Sequence, residues 1–322
     1  MRLSILTLLL VINFNGVYSQ NINGSVLDEI KLQAKETHSD AVIIIKDGKI
    51  VYEDYFEKKE KPIYIASAGK SLVSLAIGKL MDHKLIDSLD QPVYSFFPEW
   101  KQGKKQQVTI RMLLNHTSGL QNYPNASIEL EPAPTYKVKN VVKLALAAEL
   151  SSVPGKKFDY NNKAVALLGG IVEKTSGKRF DYFFIDEFYK AMNIANYGWV
   201  QDESGNPTAH GAFVIKPSDF IKFGELILNK GMYNNKRLIS ESWIEESFKQ
   251  GQEFDPRFGL LWWRYLKNNT EDVEVYYADG YRGNYLVIIP NKGIVAVRCA
   301  DHENFNYPAD FFTDFVKLIT KL

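Results

Sequence analysis

Hydrophobic positions along this chain follow two periods. Ala41-Val42-Ile43-Ile44-Ile45 and Lys49-Ile50-Val51-Tyr52-Glu53 flank Lys46-Asp47-Gly48. An Asp-Gly pair between two β-branched runs predicts a β-hairpin. Toward the other end, Val275-Tyr276-Tyr277-Ala278, Asn284-Tyr285-Leu286-Val287-Ile288-Ile289 and Gly293 to Cys299 read as three more strands. Pro290-Asn291-Lys292-Gly293 supplies the turn between the last two. From residue 70 to 230 the spacing is mostly helical, broken by Pro and Gly. Val73, Ala76, Ile77 and Leu80 share one face of a run from Ser71 to Met81, which predicts an amphipathic helix. Ala164, Val165, Leu167, Leu168, Ile171 and Val172 predict another, ended by Gly177. The last stretch, Ala309 to Leu322, sets Phe311, Phe312, Phe315, Val316, Leu318 and Ile319 at helical spacing. Strands at both ends with helices between them predict an α+β fold. Its antiparallel sheet is built from both chain ends and flanked by helices, with a mostly helical lobe inserted. The α/β part is expected over residues 20–70 and 230–322 and the lobe over 71–229, with no repeat or low-complexity linker.

Composition narrows the setting. Met1-Arg2, the apolar stretch from Leu3 to Phe14, and Val17-Tyr18-Ser19 read as a signal peptide over residues 1–19, cut before Gln20. The stretch is shorter than the roughly 20 residues a membrane-spanning helix needs. The expectation is therefore a secreted or periplasmic protein with no transmembrane anchor after cleavage. The formal charge is +1 with no run of Lys and Arg, so nucleic acid is not an expected partner. The short Lys101 to Lys105 cluster reads as a solvated loop. A single cysteine, Cys299, excludes an internal disulfide and lies in an apolar strand pattern, as a buried structural Cys would. The five histidines are scattered without ligand spacing, so neither a metal site nor a cofactor is expected.

The chemistry starts at Ser67-Ala68-Gly69-Lys70, the sole S-x-x-K of the chain. On a helix, positions i and i+3 share a face, so hydroxyl and amine stand side by side. A helix N-terminus adds unpaired N–H groups and a positive partial charge. A hydroxyl beside an amine able to lose its proton is what an acyl-transfer nucleophile requires. An isolated Lys titrates near 10.4, too high for a base at neutral pH. Burial and a neighbouring cation lower it. Taken alone, the four residues also suit a solvated helix start, with Ser67 as its cap.

Two further motifs follow in order: Arg111-Met112-Leu113-Leu114-Asn115-His116-Thr117-Ser118-Gly119-Leu120, then Phe158-Asp159-Tyr160-Asn161-Asn162. With the Ser67 segment they resemble the serine β-lactamase-like superfamily. The closest branch holds class C β-lactamases, D-alanyl-D-alanine carboxypeptidases, esterases and 6-aminohexanoate-dimer hydrolases. The resemblance runs from about Ala41 to Val316 and implies an α/β sandwich plus a helical lobe, with the active site between them. It implies Ser67 as nucleophile, Lys70 as base and Tyr160 as the phenol that relays a proton to the leaving group. Tyr123-Pro124-Asn125 and Tyr233-Asn234-Asn235 match the same Y-x-N pattern. Neither leads directly into a helix, as Tyr160 does. Asn162 either caps that helix or hydrogen-bonds Lys70 and substrate.

The family's third motif, a basic residue, then a small or hydroxyl residue, then Gly, corresponds here to Ala278-Asp279-Gly280, followed by Tyr281-Arg282-Gly283. Glycine there lets substrate backbone approach closely. By resemblance, the N–H groups of Ser67 and Tyr281 form the oxyanion hole. The usual cation is replaced by Ala278, which argues against β-lactams and D-Ala-D-Ala termini as best substrates. Arg282 either substitutes for it or faces solvent. His116 reads as a structural residue beneath the site, and the role of His210 stays open. Trp199, Trp262 and Trp263 are core residues or part of an acyl pocket. The leading expectation is a serine hydrolase of a small-molecule or peptide ester or amide. Its rivals are a penicillin-recognising carboxypeptidase or β-lactamase, and a catalytically silent binder of a cell-wall ligand.

Overall fold

The computed structural model describes residues 23–56, 58–121, 138–211, 213–265, 273–301 and 311–322. The signal peptide, Tyr123-Pro124-Asn125 and His302 lie outside the described residues. The strands are β1 Ala41–Lys46, β2 Lys49–Asp54, β3 Ile63–Tyr64, β4 Tyr197–Trp199, β5 Phe213–Ile215, β6 Met232–Tyr233, β7 Lys236–Arg237, β8 Trp263–Tyr265, β9 Val275–Gly280, β10 Asn284–Ile289 and β11 Ile294–Cys299. Six form an antiparallel sheet in the order β2-β1-β11-β10-β9-β8. The N-terminal hairpin thus joins the C-terminal strands through β1 and β11, where Ala41 faces Cys299. Asp47 and Gly48 both take positive φ, as the tight turn of that hairpin requires.

The sheet is covered on both faces, so its central strands carry almost no polar side chains. Ile43, Ile45, Leu286, Ile288, Val295 and Val297 point into the larger core. Their alternates Val42, Ile44, Val287, Ile289 and Ala296 point to a second core under the terminal helices Gly24–Glu36 and Phe311–Ile319. This is the period-2 alternation of a doubly covered sheet. Cys299 is buried and its thiol is pushed up to about 12 by that burial, so it is inert at neutral pH.

Three features depart from the sequence reading. The helix Gly69–Asp82 is not amphipathic in place: every residue from Gly69 to Gly78 is buried, because it runs between the sheet and the helical lobe. A small sheet, β3-β5-β4, ties the segment before Ser67 to residues 197–215, inside the stretch assigned to the lobe. The helix Pro217–Leu228, assigned to the lobe from sequence, instead packs on the large sheet. A Cβ at Gly224 would stand 2.2 Å from Val295 Cγ1 and 2.8 Å from Leu286 Cδ1.

That contact yields a prediction. Alanine for glycine in a helix gains about 1 kcal/mol. Overpacking costs about 1–3 kcal/mol. Gly224→Ala is therefore expected to lower the denaturation midpoint with an unchanged denaturant slope. A raised midpoint would mean the helix rides off the sheet without cost.

Candidate active site

Ser67 sits in a 3-10 turn, Ala66–Ala68, that leads straight into the helix Gly69–Asp82. Ala66 has φ of +50°, a conformation rare for a residue with a side chain and frequent where a site holds backbone strain. One turn on, Lys70 is 3% exposed and its Nζ donates to Ser67 Oγ at 2.7 Å. The same separation serves the reverse arrangement, in which the hydroxyl donates to a neutral amine. Lys70 Nζ lies 5.1 Å from the centroid of the Tyr160 ring. Ser67 and Tyr160 line one cleft of about 260 Å³ with Trp263, Asp279, Gly280 and Tyr281.

Tyr160 is positioned by the residues around it. Asn161, not Asn162, caps the helix Asn162–Ser176: its side chain accepts from the N–H groups of Lys163 and Ala164. Asn162 is the helix's first residue. The Asn161 amide Nδ2 donates to Leu120 O at 2.9 Å, and its N–H donates to His116 Nδ1 at 3.2 Å. The His116 ring packs 4.5 Å from Tyr160 and 5.1 Å from Phe258. The His-Thr-Ser-Gly-Leu string thus forms the bed on which Tyr160 lies, in a structural role. Lys163, which sequence reasoning passed over, is fully buried and donates from Nζ to Gln121 O at 3.0 Å. Tyr233, the described competitor for the Y-x-N role, is in a two-strand hairpin, followed by Asn234 and Asn235 at positive φ. It is not among the cleft residues.

The opposite wall is the end of β9. A Cβ at Gly280 would stand 2.2 Å from Ile65 O and 2.9 Å from Ala68 N, so only glycine lets the strand close on the Ser67 turn. Ala278 is fully buried in the core and does not line the cleft; Asp279 does. The strand therefore presents an acid to the cleft, where the sequence reading looked to Ala278. Arg282 does not line the cleft either. It pairs with Asp301 at 3.2 Å, which removes it as a substitute cation. The turn is braced from behind by two residues that no motif marked. Asn284 Nδ2 donates to Tyr281 O at 2.7 Å. Arg298, 1% exposed, donates to Gly283 O and Thr37 O, each at 2.8 Å. A lone Arg inside the apolar run of β11 was the available signal. Trp199 and Trp262 are packed among core side chains, whereas Trp263 lines the cleft.

Electrostatics separates the titrating groups. Burial pushes the His116 imidazole well below its usual range, and the Lys70 charge adds to this. His210, in the buried turn Ala209–Gly211, is pushed down to about 3 by the same two causes. Both rings are held neutral. Burial pushes the Asp279 carboxyl up to about 6, against the opposing pull of Lys70.

A model of the Beta-lactamase family matches residues 29–311. The chain belongs to the Beta-lactamase family. Over 92% of its length it is 24% identical to an uncharacterized protein of Alkalihalophilus pseudofirmus, covering 96% of that protein. Among solved structures of this fold, it is similar to an octameric penicillin-binding protein homologue from Pyrococcus abyssi. That match has a TM-score of 0.72 and 22% identity, over 92% of this chain and 77% of the other. It is also similar to EstCE1, a hydrolase with promiscuous acyltransferase activity. There the TM-score is 0.74 and the identity 15%, over 92% and 98% of the two chains. The family's serine β-lactamase-like fold is thus present across nearly the whole described chain, as the sequence motifs implied.

The buried histidines predict an acid-sensitive family member. A base whose folded pKa is depressed contributes stability above its unfolded pKa, about 6.5 for His. That stability is lost as pH falls toward the folded value, about 3 for His210. Asp279 acts in the opposite sense near 6, so the comparison needs a variant. Between neutral and mildly acidic pH, wild type should lose more of its denaturation midpoint than His210→Asn does. Equal losses would mean that His210 titrates alike in the folded and unfolded protein.

Proposed function

We propose that this chain is an exported serine hydrolase that cleaves an ester or amide through an acyl-enzyme on Ser67. The observation that carries the reading is the 2.7 Å contact between Lys70 Nζ and Ser67 Oγ, made by a buried lysine to a serine that lines an open cleft. Export rests on the N-terminal signal pattern. In this reading Ser67 Oγ attacks the carbonyl carbon as Lys70 takes its proton. The oxyanion is held by the N–H groups of Ser67 and Tyr281, each such donor contributing on the order of 3 kcal/mol. Tyr160 passes the proton to the leaving oxygen or nitrogen as the bond to the carbonyl carbon breaks. Water, deprotonated through the same groups, then attacks the acyl carbon and frees Ser67. Gly280 supports the arrangement by letting β9 approach the Ser67 turn. The buried Ala278, the cleft-lining Asp279 and the Asp301-bound Arg282 weigh against a carboxylate-bearing β-lactam or D-Ala-D-Ala peptide as preferred substrate.

Labelling with a fluorophosphonate tests the nucleophile. Wild type should react and Ser67→Ala should not, and Ser67→Ala should lose turnover of p-nitrophenyl butanoate at nearly unchanged melting temperature. A protein that binds the ester but neither labels nor turns over would be the silent binder. Tyr160→Phe should lower kcat by about 10²–10⁴-fold with little change in KM, since it removes a proton relay and keeps the ring. A loss confined to KM would remove Tyr160 from the proton path.

A further inference from the structure

The acyl-transfer reading leaves one group in the cleft without a task, the carboxylate of Asp279. Elsewhere the protein partners its buried acids. Asp181 pairs with Arg179, Asp219 with Lys222 and Asp255 with Arg257. Asp202 accepts from the backbone N–H groups of Ser204 and Asn206 and from the Asn206 side chain. Asp279, partly buried at the end of β9, makes no side-chain hydrogen bond and no ion pair among the described residues. Lys70 acts on it only through space. A partly buried carboxylate without a partner costs stability. Such groups persist where a site uses them.

What surrounds Asp279 defines the missing partner. Ser67 shares the same cavity of about 260 Å³, so a group on Asp279 belongs to the molecule whose carbonyl meets Ser67. The remaining walls include Tyr160 and Trp263, whose rings stack 6.1 Å apart. Aromatic walls beside an acid favour a cation carried on a short apolar stem. A carboxylate on the substrate would meet Asp279 as a like charge and be repelled. We propose that Asp279 is a specificity-determining residue that receives a protonated amine of the substrate, so that the cleft takes amine-bearing esters or amides ahead of neutral or carboxylate-bearing ones. This rests on Ser67 as the nucleophile, and the test separates the two.

The test uses isosteric pairs. Ethyl β-alaninate against ethyl butanoate places the amine on the acyl side. 2-(Dimethylamino)ethyl butanoate against 3-methylbutyl butanoate places it on the alcohol side. Monoethyl succinate supplies the anion. In wild type, kcat/KM should favour the cation in at least one pair by on the order of ten- to a hundredfold, the size of a charge-assisted hydrogen bond. Monoethyl succinate should be the poorest of the acyl-side three. Asp279→Asn should bring the cation-to-neutral ratio to about one. Asp279→Lys should shift preference toward monoethyl succinate. The wild-type ratio should rise as pH rises through about 6, where Asp279 ionises. Of the titratable groups near Asp279, Tyr160 and Tyr281 line the same cleft and Lys70 acts through space from the central helix, with Tyr277 two residues before it on β9 and Tyr285 opposite it on β10. A ratio near one in wild type, or one that survives Asp279→Asn, overturns the proposal while Ser67-dependent turnover of the neutral esters stands. If no ester is turned over, the Ser67 reading falls. The same pairs are then titrated calorimetrically into Ser67→Ala, where equal binding of cation and isostere overturns the amine site too.

Discussion

The closure of β9 on the turn that carries Ser67 is the contact on which the rest of this molecule depends. There is no space for a side chain between Gly280 and the backbone of Ile65 and Ala68. The sheet and the turn that carries Ser67 therefore meet backbone to backbone beside the cleft. Every other element can be ordered by its relation to this seam. The enclosed helix Gly69–Asp82 sets Lys70 below it. The His116–Leu120 string and the Asn161 cap set Tyr160 on its far side. Asn284 and Arg298 hold the turn after Gly280 from behind.

The seam also explains why the site is rich in buried polar groups that are held neutral or tied to backbone. His116 and His210 lose their charge to burial and to Lys70. Lys163 and Arg298 keep donors on main-chain carbonyls. A buried charge satisfied by carbonyls fixes loops more sharply than apolar packing does, since leaving it unpaired is costly. The lobe's Lys163 holds the segment at Gln121, and the sheet's Arg298 holds the turn at Gly283.

How much of this was legible in the sequence follows the range of each interaction. Ser67 and Lys70 are three residues apart, so local helical geometry was enough to pair them. The helix after Tyr160 singled it out from its look-alikes. The Asp47-Gly48 turn announced the first hairpin. What was missed depends on distant partners. Whether Ala278 or Asp279 faces the cleft is decided by how the end of β9 meets the Ser67 turn, and the strand itself carries no sign of that. Arg282 was free to substitute for the absent cation until Asp301 came beside it. Asn161 and Asn162 are equivalent as text, and the cap fell to the one whose backbone stays extended. The helix Pro217–Leu228 has a lobe-like pattern but a sheet-side partner, and strands of two or three residues such as β3 and β5 are too short for any period to show.

Arg298 carries a further meaning for how the protein comes into being. Its guanidinium ties Thr37, near the start of the described chain, to the turn beside the cleft, spanning 261 positions of sequence. Ser67 is synthesised well before the wall facing it and the clamp behind that wall. A growing chain thus holds Ser67 before the surface that faces it exists. The surroundings of Ser67 are assembled only once β11 slots between the hairpin and β10.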